Sequence, residues 1–286
     1  ERVRVLAALV EGNSIRATCR LTGHAKGTVL SLLNDMGAAC TTFQSGALRG
    51  LKCQRVQCDE IWSFCHAKDK NVPTAKKGQW GYGDVWTWTA LCQDTKLIVS
   101  WHIGPRDARS ADIFVSDLAS RLEGRVQLTT DGLAAYVTPI LFYFRGRKAD
   151  YAQLVKLYGK DSVEGGSGVG ARYSPPACIG TKKHVVMGDP DLKNVSTSHV
   201  ERQNLTMRMS SRRFTRLTNG FSKKIENLED AVAINFAYYN FCRKHETLNG
   251  KTPAQAAGVD KLRWTIEDVV DLAEAHAESQ KKQNSN

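Results

Sequence analysis

Between Gln54 and Thr130 the chain reads as strand, strand, strand, helix, strand, and no other feature narrows the fold as much. The first three runs cover about Gln54 to Phe64, Gly81 to Cys92 and Lys96 to Ile103. Val85-Trp86-Thr87-Trp88-Thr89 alternates β-branched and aromatic residues, which suit a pleated surface. Gln93-Asp94 reads as a tight turn, so the second and third runs form a hairpin. Ser110 opens a helix with Phe114, Leu118 and Leu122 on one face. Arg125 to Thr130 is a fourth strand, and a helical stretch follows from about Leu133. The order calls for an α/β fold with a mixed sheet.

Residues 1 to about 40 read as three short helices. Leu6, Leu9 and Val10 recur at helical spacing. Ser14 can cap a second helix, Ile15 to Leu21. Gly23 makes a turn, and a third helix runs from about Ala25 to Met36. Cys19-x3-Gly23-x5-Val29 has the spacing of a helix-turn-helix: a small residue at the crossing, a turn glycine and an apolar anchor. Lys26, Thr28 and Ser31 would then reach a DNA groove, although an ordinary helical hairpin has the same spacing. Residues 41 to 52 read as a polar linker.

Later in the chain, residues 159–197 read as a flexible insertion, with Gly165-Gly166-Ser167-Gly168 inside it and a short strand near His184 to Met187. A helix runs from Ser198 to at least Arg213. Another, Ile225 to Arg243, carries Leu228, Val232, Phe236 and Tyr239 on its inner side. Thr265 to Lys281 is a final, exposed helix. The expected division is a small all-α helix-turn-helix domain at 1–46, a larger α/β domain at 50–250 and a C-terminal helical tail at 251–286.

The net charge is +11 and the pI about 9.3, a balance that favours a polyanionic partner such as nucleic acid. No apolar run approaches the roughly 20 residues that cross a bilayer, so no membrane partner is expected. No secretory signal is expected, and the eight scattered cysteines fit reduced thiols in the cytoplasm. Cys53, Cys58 and Cys65, with His66 adjoining, do not have the paired spacing of a zinc knuckle.

Three acids carry the chemistry. Asp59 lies inside the first strand, Asp131 follows the fourth, and Glu201 sits near the start of a later helix. Three antiparallel strands, a helix and a further strand begin a ribonuclease-H-like fold. In that fold the first and fourth strands are neighbours, so Asp59 and Asp131 can meet. Two divalent ions held by the three acids would serve phosphoryl transfer. Other roles stay open. Glu60 competes with Asp59, Asp131 can be a turn residue, and Ser198-x-x-Glu201 has the form of a capping box. From Arg202 onward, Arg208, Arg212, Arg213, Arg216, Lys223 and Lys224 follow with no acid among them. On a continuous helix Arg208 and Arg212 fall within about 20° of Glu201, an arrangement that suits a DNA backbone.

Asp59 to Phe64, the Trp86-Thr87-Trp88 strand, Asp94 to Ile98, Thr130-Asp131-Gly132 and Ser198 to Met209 resemble bacterial insertion-sequence transposases of the Asp-Asp-Glu type. The insertion-sequence-one-like family is the most similar group. Tyr239 to His245, with Leu248, Thr252 and Pro253, resembles the C-terminal signature of such enzymes. Thr138 to Arg147 departs from the pattern, with a continuous apolar run where an amphipathic, acid-containing helix is expected. The resemblance implies Asp59, Asp131 and Glu201 as the catalytic, metal-binding triad, with Mg²⁺ (or Mn²⁺), two ions in all. It implies double-stranded DNA, both element ends and target, as the partner of a homodimer or higher oligomer in the bacterial cytoplasm, nucleoid-associated when bound to DNA. Arg202, Arg208, Arg212, Arg213 and Arg216 would hold the backbone, while Lys26, Thr28 and Ser31 read the ends. A non-catalytic DNA-binding regulator and a structure-specific nuclease remain as alternatives.

Overall fold

The computed structural model describes residues 1–146, 149–158, 178–215 and 217–284. Strand β1 (Arg55–Cys65) lies inside the sheet because both of its faces bury. Val56 and Cys58 enter one apolar cluster, Ile61 and Cys65 another. Such two-sided burial is what an inner strand covered by helices requires. β2 (Gly83–Cys92) pairs antiparallel with β1, and β3 (Ile98–Gly104) antiparallel with β2. On the other edge β4 (Val126–Thr130) runs parallel to β1. β5 (Ala149–Tyr158) runs parallel to β4, and β6 (Cys178–Met187) returns antiparallel beside β5. The mixed sheet therefore has the order β3-β2-β1-β4-β5-β6.

Helices cover both faces. α4 (Ala108–Arg121) and α5 (Val137–Tyr143) close one side, where Phe114, Leu118 and Ile140 join Trp88 and Leu128. α6 (Ser198–Ser210) and α7 (Ile225–Ala237) close the other. Leu228, Val232, Phe236 and Tyr239 all face that second cluster, as their spacing requires. α7 continues into a π-helical turn, Tyr238–Cys242. There the buried Asn240 side chain donates to the Ile98 carbonyl (3.0 Å) and accepts from the Ile98 amide (2.9 Å), which ties edge strand β3 to the helical layer.

The N-terminal segment forms α1 (Arg2–Val10), α2 (Ile15–Thr22) and α3 (Lys26–Ala47). Ser14 Oγ accepts from the Ala17 amide, Gly23 has φ +76°, and Val29 is buried. The third helix is much longer than expected. It passes Met36 and ends at Ala47, so most of the expected 41–52 linker is helical. The polar composition of 41–47 conceals this, because tertiary contacts hold the last turns. Leu33, Met36, Ala39 and Cys40 pack on Ala233, Ile234 and Ala237 of α7. They also meet Val269, Val270 and Ala273 of α9 (Ile266–Asn284), which follows the short α8 (Pro253–Ala256). The final helix is thus partly buried rather than wholly exposed. Gln44 Nε2 donates to the Ala233 carbonyl, and Arg121 reaches the Gln44 carbonyl from α4.

Smaller departures have local causes. The β2–β3 connection spans 93–97, with Lys96 at φ +60°, rather than a two-residue turn. β5 went unread because it buries both faces and shows no alternation. Residues 159–177 of the expected insertion lie outside the described residues, and β6 extends well before His184. The apolar run after Asp131 forms α5, which leaves Phe142 70% exposed. No helix among the described residues is long and apolar enough to cross a membrane.

The α3–α7 crossing is closest at Gly37. A Cβ there would lie 2.3 Å from Asp230 Cβ and 2.5 Å from Asp230 Cα. Gly37→Ala is expected to cost about 1–3 kcal/mol by overpacking, read as a lower melting temperature. An unchanged melting temperature would mean that the two helices can separate freely.

Candidate metal centre

The register of the parallel pair places the first two acids. Gln57 lies opposite Thr129, so two residues further on Asp59 comes opposite Asp131. Neighbouring strands are about 4.8 Å apart, and positions in register point to the same side. Asp59 shares its face with Gln57 and Ile61, toward α6 and α7. Glu60 turns the other way, toward Tyr136 and α5. Asp131 sits just past the end of β4 and reaches both. One carboxylate oxygen each from Asp59, Glu60 and Asp131 lie within 4.8 Å of one another, and this cluster can hold a metal ion.

Two cations already serve part of this acidity. Arg106 Nε donates to Glu60 Oε2 (3.0 Å), and its Nη2 to Asp131 Oδ2 (3.3 Å). The guanidinium also lies 5.1 Å from the Trp86 ring centroid. The loop that carries it is fixed, because Trp88 Nε1 donates to the Pro105 carbonyl and Asp107 caps α4 through the Ser110 amide. Glu201 is held separately. Lys156 Nζ and Thr197 Oγ1 both donate to its Oε1, each at 2.5 Å. Glu201 therefore stays outside the tight cluster, although its charge still acts on Asp59.

Among the described residues Asp59 forms no salt bridge. Its Oδ2 accepts one neutral hydrogen bond, from Asn204 Nδ2 at 2.8 Å. Burial, then the charges of Glu60 and Asp131, push its pKa up to about 7. Glu60, also raised by burial, has only 1% of its side chain exposed, and its Oε1 makes no hydrogen bond. The Tyr136 hydroxyl nearby is likewise buried without a bond of normal geometry. A hard divalent cation suits this all-oxygen donor set and would supply the charge that Asp59 lacks.

The capping box that stood as the rival role for Ser198 and Glu201 is not formed. Gln57 Oε1 instead accepts from the His199 (2.9 Å) and Val200 (3.1 Å) amides. The basic stripe is shorter than expected as well. α6 ends at Ser210, and Ser211 is extended at φ −146°, so Arg212 does not continue the line from Glu201. Serine propagates a helix weakly, and burial of Phe214 draws the chain inward. Arg202 and Arg208 are exposed on α6, Arg212 is exposed in the turn that follows, and Lys26, Thr28 and Ser31 are exposed at the start of α3. Arg213 is partly buried and donates to Ser222 Oγ, and burial lowers its pKa to about 10. Its role is to hold the turn. Arg216 lies outside the described residues.

The three cysteines do not gather. Cys58 and Cys65 lie in different clusters, and the free thiol of Cys53 is hydrogen-bonded with that of Cys92. Sequence reasoning missed Arg106, Asn204, Gln57 and Lys156, none of which stands in a distinctive local pattern. Comparison with protein-family models and with curated proteins finds no match.

The raised Asp59 pKa sets a pH dependence. The folded carboxyl keeps its proton to about pH 7, against an ordinary value of 3.8. The native state then binds the extra proton between these values, so stability of the metal-free protein falls as pH rises through that window. Asp59→Asn is expected to remove this part of the slope in thermal melts. Mn²⁺ affinity, measured by calorimetry, is expected to drop about tenfold per pH unit below 7 and to level off above it, because binding must displace one proton. A flat affinity from pH 5.5 to 8 would contradict it.

Proposed function

We propose that this chain is a transposase of the Asp-Asp-Glu type that cleaves double-stranded DNA at the ends of a mobile element and joins the freed ends to a target. The observation that carries the reading is the meeting of Asp59 and Asp131 on adjacent parallel strands, with Asp59 left short of positive charge. A basic chain of net charge +11 supplies the attraction to DNA. The β3-β2-β1-β4-β5 part of the sheet supports a ribonuclease-H-like domain, and the Ser14 cap, Gly23 turn and buried Val29 support a helix-turn-helix.

Asp59 and Asp131 would hold Mg²⁺, with Glu201 joining them once its carboxylate exchanges Lys156 for the metal. The ion, when bound, would supply charge neutralisation at the phosphate and a more acidic water. Asn204 orients Asp59 through its 2.8 Å hydrogen bond. Arg106 balances Glu60 and Asp131, and its side chain is 38% exposed, so it can also donate to a phosphate oxygen. No covalent protein nucleophile is needed.

The test is Mg²⁺-dependent nicking and strand joining with element-end DNA. Asp59→Asn and Asp131→Asn are expected to abolish both while leaving binding in place. Asn204→Ala should lower the rate about 10–100-fold, the usual cost of losing a group that orients a metal ligand. Glu60→Gln should act far more weakly, since Glu60 turns to the other face of β1, toward Tyr136. Activity in Asp59→Asn with none in Glu60→Gln would move the role to Glu60. Cleavage without joining would favour a nuclease, and binding with no cleavage a regulator.

A further inference from the structure

A groove of about 800 Å³ lies where α2 and the start of α3 face residues 212–213 and 217–223. Among the described residues six cations line it, Arg16, Arg20, Lys26, Arg212, Arg213 and Lys223, and no Asp or Glu does. Arg16 and Arg20 stand four residues apart on α2, a rise of about 6 Å, so both face the same side. The other wall comes from nearly two hundred residues later in the chain, so the concentration of charge is a product of the fold.

None of the six cations forms a salt bridge among the described residues. Elsewhere the fold pairs its arginines readily: Arg2, Arg49, Arg55, Arg106, Arg121 and Arg125 each meet an acid. A solvated face of ordinary kind mixes both signs. Arg213 has Asp230 within electrostatic reach, but like charges gathered around one concavity repel each other, and a polyanion would relieve that repulsion.

We propose that this groove grips the sugar–phosphate backbone of a DNA duplex. The choice of DNA rests on the proposed function; the choice of backbone rests on the groove itself. Among the described residues lysine and arginine are its only charged lining and Phe221 its one aromatic residue, so it lacks the stacking platforms that hold single strands. Lys26 belongs with Arg212 in one backbone clamp, and its part is grip rather than base reading. Arg16, Arg20 and Lys223 join the interface. Arg213 contributes charge from the wall while its Nε stays on Ser222.

The experiment is fluorescence anisotropy of the full chain on labelled duplexes of two unrelated sequences, over a KCl series in EDTA. Arg16→Gln/Arg20→Gln/Lys223→Gln is compared with Lys251→Gln/Lys261→Gln/Arg263→Gln, which removes equal charge outside the groove. All six side chains are exposed, and equal melting temperatures would verify both folds. The groove variant is expected to flatten the log–log salt slope by about 2.7, at about 0.9 per lost phosphate contact, alike for both sequences. The control should keep the parent slope. Equal losses in both variants, an unchanged groove variant, a loss confined to one sequence, or a loss seen with single strands but not duplexes would each overturn the proposal. Because no metal is present, a failure of Mg²⁺-dependent cleavage would remove the proposed function and leave the groove result standing. An unchanged groove variant would do the reverse.

Discussion

Gln57 is buried on β1, and its single carbonyl oxygen accepts hydrogen bonds from two amides at the start of α6. The first amides of a helix have no partner inside the helix. Thr197, at the N-cap, makes no side-chain cap bond. A strand residue therefore performs the cap, and it fixes the height of α6 along β1. With the start pinned, Asn204 comes onto Asp59, and Glu201 is carried to the same end of the sheet. Removing the Gln57 carboxamide would leave the half-buried His199 amide and the buried Val200 amide unpaired, the latter costing about 1–3 kcal/mol. The geometry of the acids thus depends on a contact that involves none of them.

The charge balance at that end is uneven in a way that stability alone would not retain. Four carboxylates converge near β1, yet Arg106 and Lys156 serve only Glu60, Asp131 and Glu201. Asp59 is left with a neutral donor and a raised pKa. Burying a carboxylate beside like charges is unfavourable, and departures of this kind from local consistency concentrate at functional sites.

Much of the architecture was legible because it rests on short periods. The Val85 to Thr89 alternation, the helical spacing of Leu228, Val232, Phe236 and Tyr239, and the Ser14 and Gly23 signals each act within a few residues. The meeting of Asp59 and Asp131 followed from strand order, which fixes neighbours without detail. What escaped lies at long range. Gln57 and Asn204 act across about 140 residues, and nothing near either one marks a partner. The last turns of α3 are helical through contacts with α7, α9 and Arg121, against a local composition that reads as a linker. The stripe through Arg212 failed for the opposite reason. It assumed an unbroken helix, while Ser211 and the burial of Phe214 end it.

The two proposed sites are joined by one rigid element. Glu201 lies in the first turn of α6, and the chain leaves the same helix at Ser210, two residues before Arg212 in the groove wall. Nine helical rises separate Glu201 from Ser210, a span of about 14 Å. At about 3.4 Å per base pair, that is roughly four base pairs along a duplex. DNA gripped in the proposed groove would therefore be held a short distance from the acids, with α6 as the spacer. Gly12 reinforces this coupling, because its backbone approaches the Met209 carbonyl so closely that a Cβ would sit 3.0 Å from it. The α1–α2 turn is therefore in close contact with the far end of α6. On this geometry the proposed grip on the backbone and the placement of Glu201 would share one packing contact.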